Sequence, residues 1–248
     1  MRFTRFTAFA VHLGISLVIF VALLAVVVFD WYRFPLFAIE GGWKGIQIIA
    51  GCDIVLGPLL TLIVFKPGKP SLKLDMSVIA AIQFAALVSG AWITYVQRPV
   101  LMVYAEERFY TLSNDIAGLA GIKSEDVSNY RNTPYPLAIV RLPDDEEQRR
   151  KIRIESLAGG GLYLRGDLYT EPTSQYLKDA KAHSLDMEKY TTDKPAERAE
   201  LEVFKSRYGA LENYYFLPLH GRYGRIMVAL DRNTGHLVDK LDIQPPES

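Results

Sequence analysis

An aspartate inside an apolar stretch is the residue of this sequence best placed to do chemistry. Asp53 interrupts the run of residues 45–65, which holds twelve large apolar side chains. A carboxylate near the centre of a membrane helix costs roughly 2.5–3.5 kcal/mol, and each large apolar residue contributes about −0.3 to −0.6 kcal/mol, so the whole segment still inserts. An ionisable group at such a depth pairs with other polar groups or relays protons. Asp53 is therefore a candidate contact or proton site.

Residue types that form catalytic centres do not come together in the rest of the sequence. His183, His220 and His236 have no partner at ligand spacing, which is typical of surface or core histidines. Cys52 is the only cysteine and excludes both an intramolecular disulfide and a cysteine-based zinc site. Neither a Gly-x-Ser-x-Gly elbow nor a phosphate-binding loop occurs. We predict no enzymatic activity, no metal site, no cofactor and no evident small-molecule substrate.

Small and polar residues recur at helical spacing on either side of Asp53. Asp53, Gly57 and Thr61 lie four residues apart and share one face of a helix. Pro58 removes a backbone donor within that helix, so neighbouring polar groups must satisfy the freed carbonyl. Two further apolar segments contain similar rows, formed by Ala8, His12 and Ser16, by Gln83, Leu87, Gly90 and Thr94, and by Ala81, Ala85 and Ser89. Rows of this kind allow close packing and hydrogen bonding between membrane helices.

Three apolar segments are long enough to cross a membrane. They cover residues 6–29, 45–65 and 76–96, and at about 1.5 Å per residue each spans a hydrocarbon core of about 30 Å. A signal peptide is the alternative for the first segment, but its 24 uncharged residues exceed the apolar region of about 7–15 residues in a typical signal peptide. We expect residues 1–98 to form a three-helix transmembrane bundle.

Basic residues predict the orientation of this bundle. Those on one side are Arg2, Arg5, Lys66, Lys69 and Lys73, and those on the other side are Arg33, Lys44 and Arg98. Because cytoplasmic loops are enriched in lysine and arginine, the N-terminus and the lysine-rich loop are predicted to be cytoplasmic. Three spans then place residues 99–248 on the far side of the membrane, which is the periplasm in a diderm bacterium.

Residues 99–248 have the composition of a soluble domain, and their pattern predicts an α+β fold with an antiparallel sheet. Strand-like runs cover residues 100–105, 109–113, 136–142, 213–219, 225–231 and 236–243. Helix start and stop signals bracket residues 144–157 and 194–208. This part holds 20 of the 28 basic residues and 24 of the 28 acidic residues. It therefore lacks the basic footprint of a nucleic-acid-binding surface.

Several motifs occur in order between residues 45 and 105. They are Gly51-Cys52-Asp53, Leu56-Gly57-Pro58-Leu59-Leu60-Thr61-Leu62, Phe65-Lys66-Pro67-Gly68-Lys69-Pro70-Ser71-Leu72-Lys73-Leu74-Asp75, the separate residues Gln83 and Gly90, and Arg98-Pro99-Val100. This region resembles the TfpX/TfpZ family of type IV pilin accessory proteins, and the order of three membrane segments followed by a soluble domain is similar as well. The resemblance implies a multi-pass protein of the bacterial inner membrane with a periplasmic C-terminal domain.

The resemblance also implies a function and partners. The expected function is to assist the type IV major pilin as a pilin-specific chaperone or assembly modulator, without enzymatic activity. The expected partners are the lipid bilayer and the pilin, through its membrane helix and its periplasmic domain. The residues expected to contact the pilin helix are Asp53, Gly57, Pro58, Gln83 and Gly90, and pairing of Asp53 within its own bundle is equally open. The alternative function is that of a membrane-tethered periplasmic enzyme or ligand-binding sensor of unknown substrate.

Overall fold

The chain forms two compact units. The computed structural model describes residues 4–33, 36–123, 125–130 and 135–246. Contacts between Cα atoms divide the chain into Met1–Arg98 and Pro99–Ser248, which we call the first and the second unit. Arg2, one of the basic residues behind the predicted orientation, lies outside the described residues.

Three long helices make up the first unit. They extend over Arg5–Trp31, Gly42–Val64 and Leu72–Val96, and each is long and apolar enough to cross a membrane. We call them the first, second and third spans. All three predicted segments are confirmed as helices, and their bounds differ from the predicted ones by at most four residues at any end.

Two of the three spans contain a π-helical turn. In chain order the helical elements are α1 (Arg5–Val26), a π turn (Val27–Trp31), α2 (Gly42–Ala50), a second π turn (Gly51–Leu56), α3 (Gly57–Val64) and α4 (Leu72–Val96). The first span is thus α1 with its π turn, and the third span is α4. The second span is interrupted in its middle, because its π turn separates α2 from α3.

Polar groups fix the ends of the spans. The Thr4 hydroxyl caps α1 by accepting a hydrogen bond from the Thr7 amide at 3.2 Å. At the start of α4, Lys69 Nζ lies 2.6 Å from a carboxylate oxygen of Asp75 in the first helical turn, where a negative charge favours the helix dipole. At the other end of α4, the buried Tyr32 hydroxyl donates to the Thr94 carbonyl at 3.0 Å.

In the described part of the second unit, five α-helices accompany a seven-stranded sheet. The strands are β1 (Pro99–Ala105), β2 (Arg108–Ser113), β3 (Leu137–Val140), β4 (Tyr169–Thr170), β5 (Tyr214–His220), β6 (Arg225–Asp231) and β7 (Leu237–Leu241). The helices are α5 (Asn114–Leu119), α6 (Glu146–Ala158), α7 (Ser174–His183), α8 (Met187–Tyr190) and α9 (Pro195–Tyr208). All six predicted strands are present. The sequence patterns gave no indication of the two-residue strand β4 or of the helices α7 and α8.

The sheet is mixed, so the predicted antiparallel sheet is wrong. Its strand order is β4-β3-β1-β2-β5-β6-β7. The hairpin of β1 and β2 lies in the middle, and each of its strands pairs in parallel with a strand from later in the chain, β1 with β3 and β2 with β5. A parallel pair requires a long crossover, and the helical segments between these strands supply it. Local sequence patterns indicate strands but not such distant pairings.

Two hydrophobic clusters pack against the sheet. One contains Leu101, Val103 and Leu112 from the central hairpin. The other contains Leu201 and Phe204, which pack against the sheet from α9. Burying a large apolar side chain stabilises a fold by about 1.5–3 kcal/mol, so these clusters account for a stable second unit without a disulfide.

His220 in β5 makes the stability of the second unit depend on pH. Burial, together with the nearby charges of Arg108 and Arg225, lowers its pKa to about 4. The unfolded chain takes up this proton near pH 6.5, whereas the folded chain does so only near pH 4. We therefore expect the free energy of unfolding to fall by about 1–2 kcal/mol as the pH is lowered across this range.

Hydrogen–deuterium exchange of β5 and β6 peptides, corrected for the intrinsic exchange rate at each pH, measures this fall in the full-length protein. His220→Gln should show a smaller fall over the same range, because glutamine does not titrate and only the carboxylates common to both proteins still contribute. If the free energy of unfolding depended equally on pH in the two proteins, the assignment of this dependence to His220 would be contradicted.

Candidate functional site

Asp53 lies in the π turn at the middle of the second span. Pro58 has no backbone N–H, so it cannot bond to the carbonyl of Ile54 four residues earlier. The helix widens just before the proline, and the Gly57 amide donates to the carbonyl of Cys52, five residues back. Such single π turns within α-helices occur frequently at functional sites.

One side-chain oxygen of Asp53 has no partner. The residue is only 4% exposed, and its Oδ2 has no hydrogen-bond partner among the residues that the structure describes. An unsatisfied polar group is costly in a medium without water, so Asp53 is a site where an additional donor would be stabilising.

The second and third spans pack closely at their glycines. A Cβ atom placed on Gly57 would overlap the side-chain amide of Gln83. A Cβ atom on Gly90 would lie 3.2 Å from Cγ1 of Ile49. These two contacts show that the second and third spans run antiparallel. Asp53 is halfway between Ile49 and Gly57 in the sequence. It therefore lies at the depth of the α4 turns between Gln83 and Gly90.

The first span approaches the same face of the second span. His12 Nδ1 lies 2.5 Å from the Thr61 hydroxyl, which is two helical turns beyond Asp53. Ala8 and Ser16, one turn before and after His12, are both buried. The predicted row of small residues on α1 is therefore a packing face within the bundle.

The second span is the central helix of the bundle. Both α1 and α4 pack against it, but their described residues make little contact with each other. The face with Asp53, Gly57 and Thr61 lies between the two outer helices. We call this strip, with His12 at one side and Gln83 at the other, the polar seam.

The structure brings the five predicted contact residues together along this central helix and α4. Asp53, Gly57 and Pro58 are buried, while Gln83 and Gly90 are partly buried. The row of Ala81, Ala85 and Ser89, which the sequence gave equal weight, is exposed. Because α-helical residues advance by about 100°, this row lies on the face of α4 opposite to Gln83 and Gly90.

Sequence reasoning missed a buried acid of the first unit. Glu40, just before α2, is 3% exposed and lies in a segment whose Leu36 and Ile39 are also buried. The signal available in the sequence was an acidic residue followed by Gly41 and Gly42, the start of a helix. Gly41 has a φ of 81°, a conformation that favours glycine, and this brings the buried segment directly into the helix.

Comparison with known proteins identifies the family. A fimbrial assembly protein of serogroup E1 from Dichelobacter nodosus is 30% identical over 232 residues, which cover 90% of this chain and 89% of the relative. This chain belongs to the fimbrial assembly protein family. The serogroup I protein of the same organism is 29% identical over 231 residues, with the same coverage of both chains. The protein of serogroups C1 and C2 is 35% identical over 105 residues, which are 42% of this chain and 80% of that relative.

The likeness extends over both units, because neither unit alone makes up 90% of the chain. No protein-family model matches the sequence, and no solved structure matches it. The similarity therefore joins the membrane spans and the sheet domain in one family, and the architecture above is described from this chain alone.

The close contact of Gly57 with Gln83 predicts a matched pair of substitutions. Gly57→Ala should lower the free energy of unfolding of the bundle by about 1–3 kcal/mol, because the added methyl group overpacks the interface. Gly51→Ala, in the same π turn, should not lower it, because nothing lies within 4 Å of its Cβ position.

Unfolding in mixed micelles of rising SDS content, followed by tryptophan fluorescence, measures both variants. All three tryptophans lie in the first unit, so the signal reports on the bundle. Adding Gln83→Ala to Gly57→Ala should restore most of the loss by making room for the methyl group. If the two glycine variants are equally stable, the close packing at Gly57 is refuted.

Proposed function

We propose that this protein is an inner-membrane accessory protein of type IV pilus biogenesis. In this proposal it acts on the major pilin as a pilin-specific chaperone or assembly modulator. The observation that carries the proposal is the match to fimbrial assembly proteins over 90% of the chain, in a protein whose first unit is three helices able to span a membrane. The proposed chemistry is recognition of one membrane helix by others and needs no catalytic group.

The polar seam is the proposed contact for the membrane helix of the pilin. A helix that enters between α1 and α4 would lie against the central helix and complete a four-helix arrangement. Because Asp53 is only 4% exposed, α1 and α4 would have to move apart to admit this helix. The helix would then meet Asp53, whose Oδ2 has no donor among the described residues, and the partly buried amide of Gln83. Hydrogen bonds between membrane helices contribute about 0.6–1.7 kcal/mol each, which favours a partner that supplies a donor at this depth.

Small residues allow the two spans that carry this contact to pack closely. Gly57 and Gly90 lack side chains on the faces that meet between the second and third spans, so backbones approach closely there. Pro58 is part of the same contact because it produces the π turn that displaces Asp53 from regular helical spacing. The five residues thus have distinct proposed roles: Asp53 and Gln83 form hydrogen bonds with the partner, the glycines hold the second and third spans together, and Pro58 shapes the helix.

The proposed orientation places the second unit beside the globular part of the pilin. Arg5, Lys66, Lys69 and Lys73 mark the cytoplasmic side, by the tendency of basic residues to remain there. An odd number of spans then puts residues 99–248 in the periplasm, where the second unit contacts the pilin domain. Asp75, which pairs with Lys69, lies in the first turn of α4 at the same proposed cytoplasmic end.

Substitution of Asp53 tests the function and the site together. Asp53→Asn should lower the amount of major pilin recovered with the affinity-tagged protein from detergent-solubilised membranes roughly three- to ten-fold, because an amide group replaces one of the two side-chain oxygens that can accept a hydrogen bond. Asp30→Asn is the matched control, since Asp30 is an exposed carboxylate at the end of the first span. The measurement is the ratio of pilin to tagged protein by quantitative mass spectrometry.

Ala85→Leu on the opposite face of α4 distinguishes the two faces of that helix. It should leave the ratio unchanged, because Ala85 is exposed and lies away from the seam. Unchanged pilin recovery with Asp53→Asn would reject the seam, and a loss with Ala85→Leu alone would place the contact on the outer face instead.

A further inference from the structure

Helix α6 of the second unit exposes apolar side chains that the fold does not use. It packs on the domain through Ile152, which is partly buried, and Ser156, which is 3% exposed. On the opposite face, Ile154 is 62% exposed and Leu157 is 81% exposed. Two large aliphatic side chains that lie side by side and exposed on one helix indicate a binding surface.

Basic residues surround these two side chains. Arg149, Arg150, Lys151 and Arg153 are all exposed, and no carboxylate among the described residues forms an ion pair with any of them. Arg150 and Arg153 share the outward face with Ile154 and Leu157, from the helical spacing of residues three, four and seven apart. We call these four residues the outer face of α6.

Most acidic residues of α6 lie at its beginning. Asp145 caps the helix by accepting a hydrogen bond from the Gln148 amide at 2.8 Å, and Glu146 and Glu147 fill its first turn. These charges are favourable at the positive end of the helix dipole. The acid of the later turns, Glu155, lies 3.5 Å from an arginine outside the helix, so the outer face combines cations with aliphatic groups.

We propose that the outer face of α6 binds the surface of the lipid bilayer. Arginines that border exposed aliphatic residues are typical of helices that lie in the membrane interface, with cations at lipid phosphates and apolar side chains below them. The chain itself brings this ligand close, because α4 ends at Val96 and the first strand of the second unit begins at Pro99. A membrane surface is therefore always within reach of this domain.

Charge complementarity favours lipid over other occupants. Each basic residue near an anionic membrane surface increases binding roughly five-fold, so Arg150 and Arg153 together contribute roughly 25-fold on a bilayer with acidic headgroups. The proposal depends on the three membrane spans and is independent of any contact with pilin.

Fluorescence of the full-length chain in nanodiscs tests the proposal. In a Cys52→Ser background, Leu157→Cys carries a polarity-sensitive fluorophore, and Val203→Cys on α9 carries the same label as the control. Val203 is 49% exposed and belongs to the same unit, so neither label enters a core. In nanodiscs of phosphatidylcholine and phosphatidylglycerol, the label at position 157 should shift to the blue and be quenched by lipid-borne quenchers, and the label at position 203 should not.

Removing the two arginines should release the helix. Arg150→Gln with Arg153→Gln should lower the ratio of docked to free α6 roughly 25-fold in the acidic nanodiscs and much less in pure phosphatidylcholine. A label at position 157 that remains exposed to water in both lipid compositions would overturn the proposal. So would a blue shift that requires added pilin instead of lipid, because α6 would then be a protein contact.

Discussion

Inside a bilayer no water is available to form hydrogen bonds with polar groups. Two residues of the second span nevertheless leave polar groups that require hydrogen-bond partners. Pro58 removes a backbone donor, and Asp53 adds a carboxylate. The helix forms a π turn just before the proline. On the neighbouring helices, the Gln83 side chain packs over Gly57, and the His12 ring lies against the Thr61 hydroxyl. Oδ2 of Asp53 still has no donor among the described residues. The rest of the first unit is arranged around this remaining requirement.

The central position of the second span relates the unpaired oxygen of Asp53 to the proposed function. Among the residues described, α1 and α4 make little contact with each other, so they can move apart and expose the buried polar seam. In the proposed function, the seam would then hold the membrane helix of the pilin. Recognition by unsatisfied hydrogen bonding is selective, because a purely apolar helix gains nothing from Asp53.

The sequence predicts what depends on length and local spacing. The spans follow from apolar runs, and the strands follow from short apolar runs bounded by turns. The parallel pairs β1–β3 and β2–β5 depend on contacts between distant segments, so the mixed sheet was not predictable from local patterns. The rows Gln83–Gly90 and Ala81–Ser89 both contain small or polar residues at helical spacing, and only packing decides that the first faces inward. Burial of Glu40 depends on a segment without helical periodicity.

Site-specific photocrosslinking in native membranes tests the central claim most directly. A diazirine residue placed at Gln83 faces the polar seam, and one placed at Ala85 faces the opposite side of the same helix. We predict that irradiation joins the major pilin to the protein from position 83 and not from position 85. Pilin adducts from position 85 alone, or from neither position in cells that assemble pili, would contradict the account.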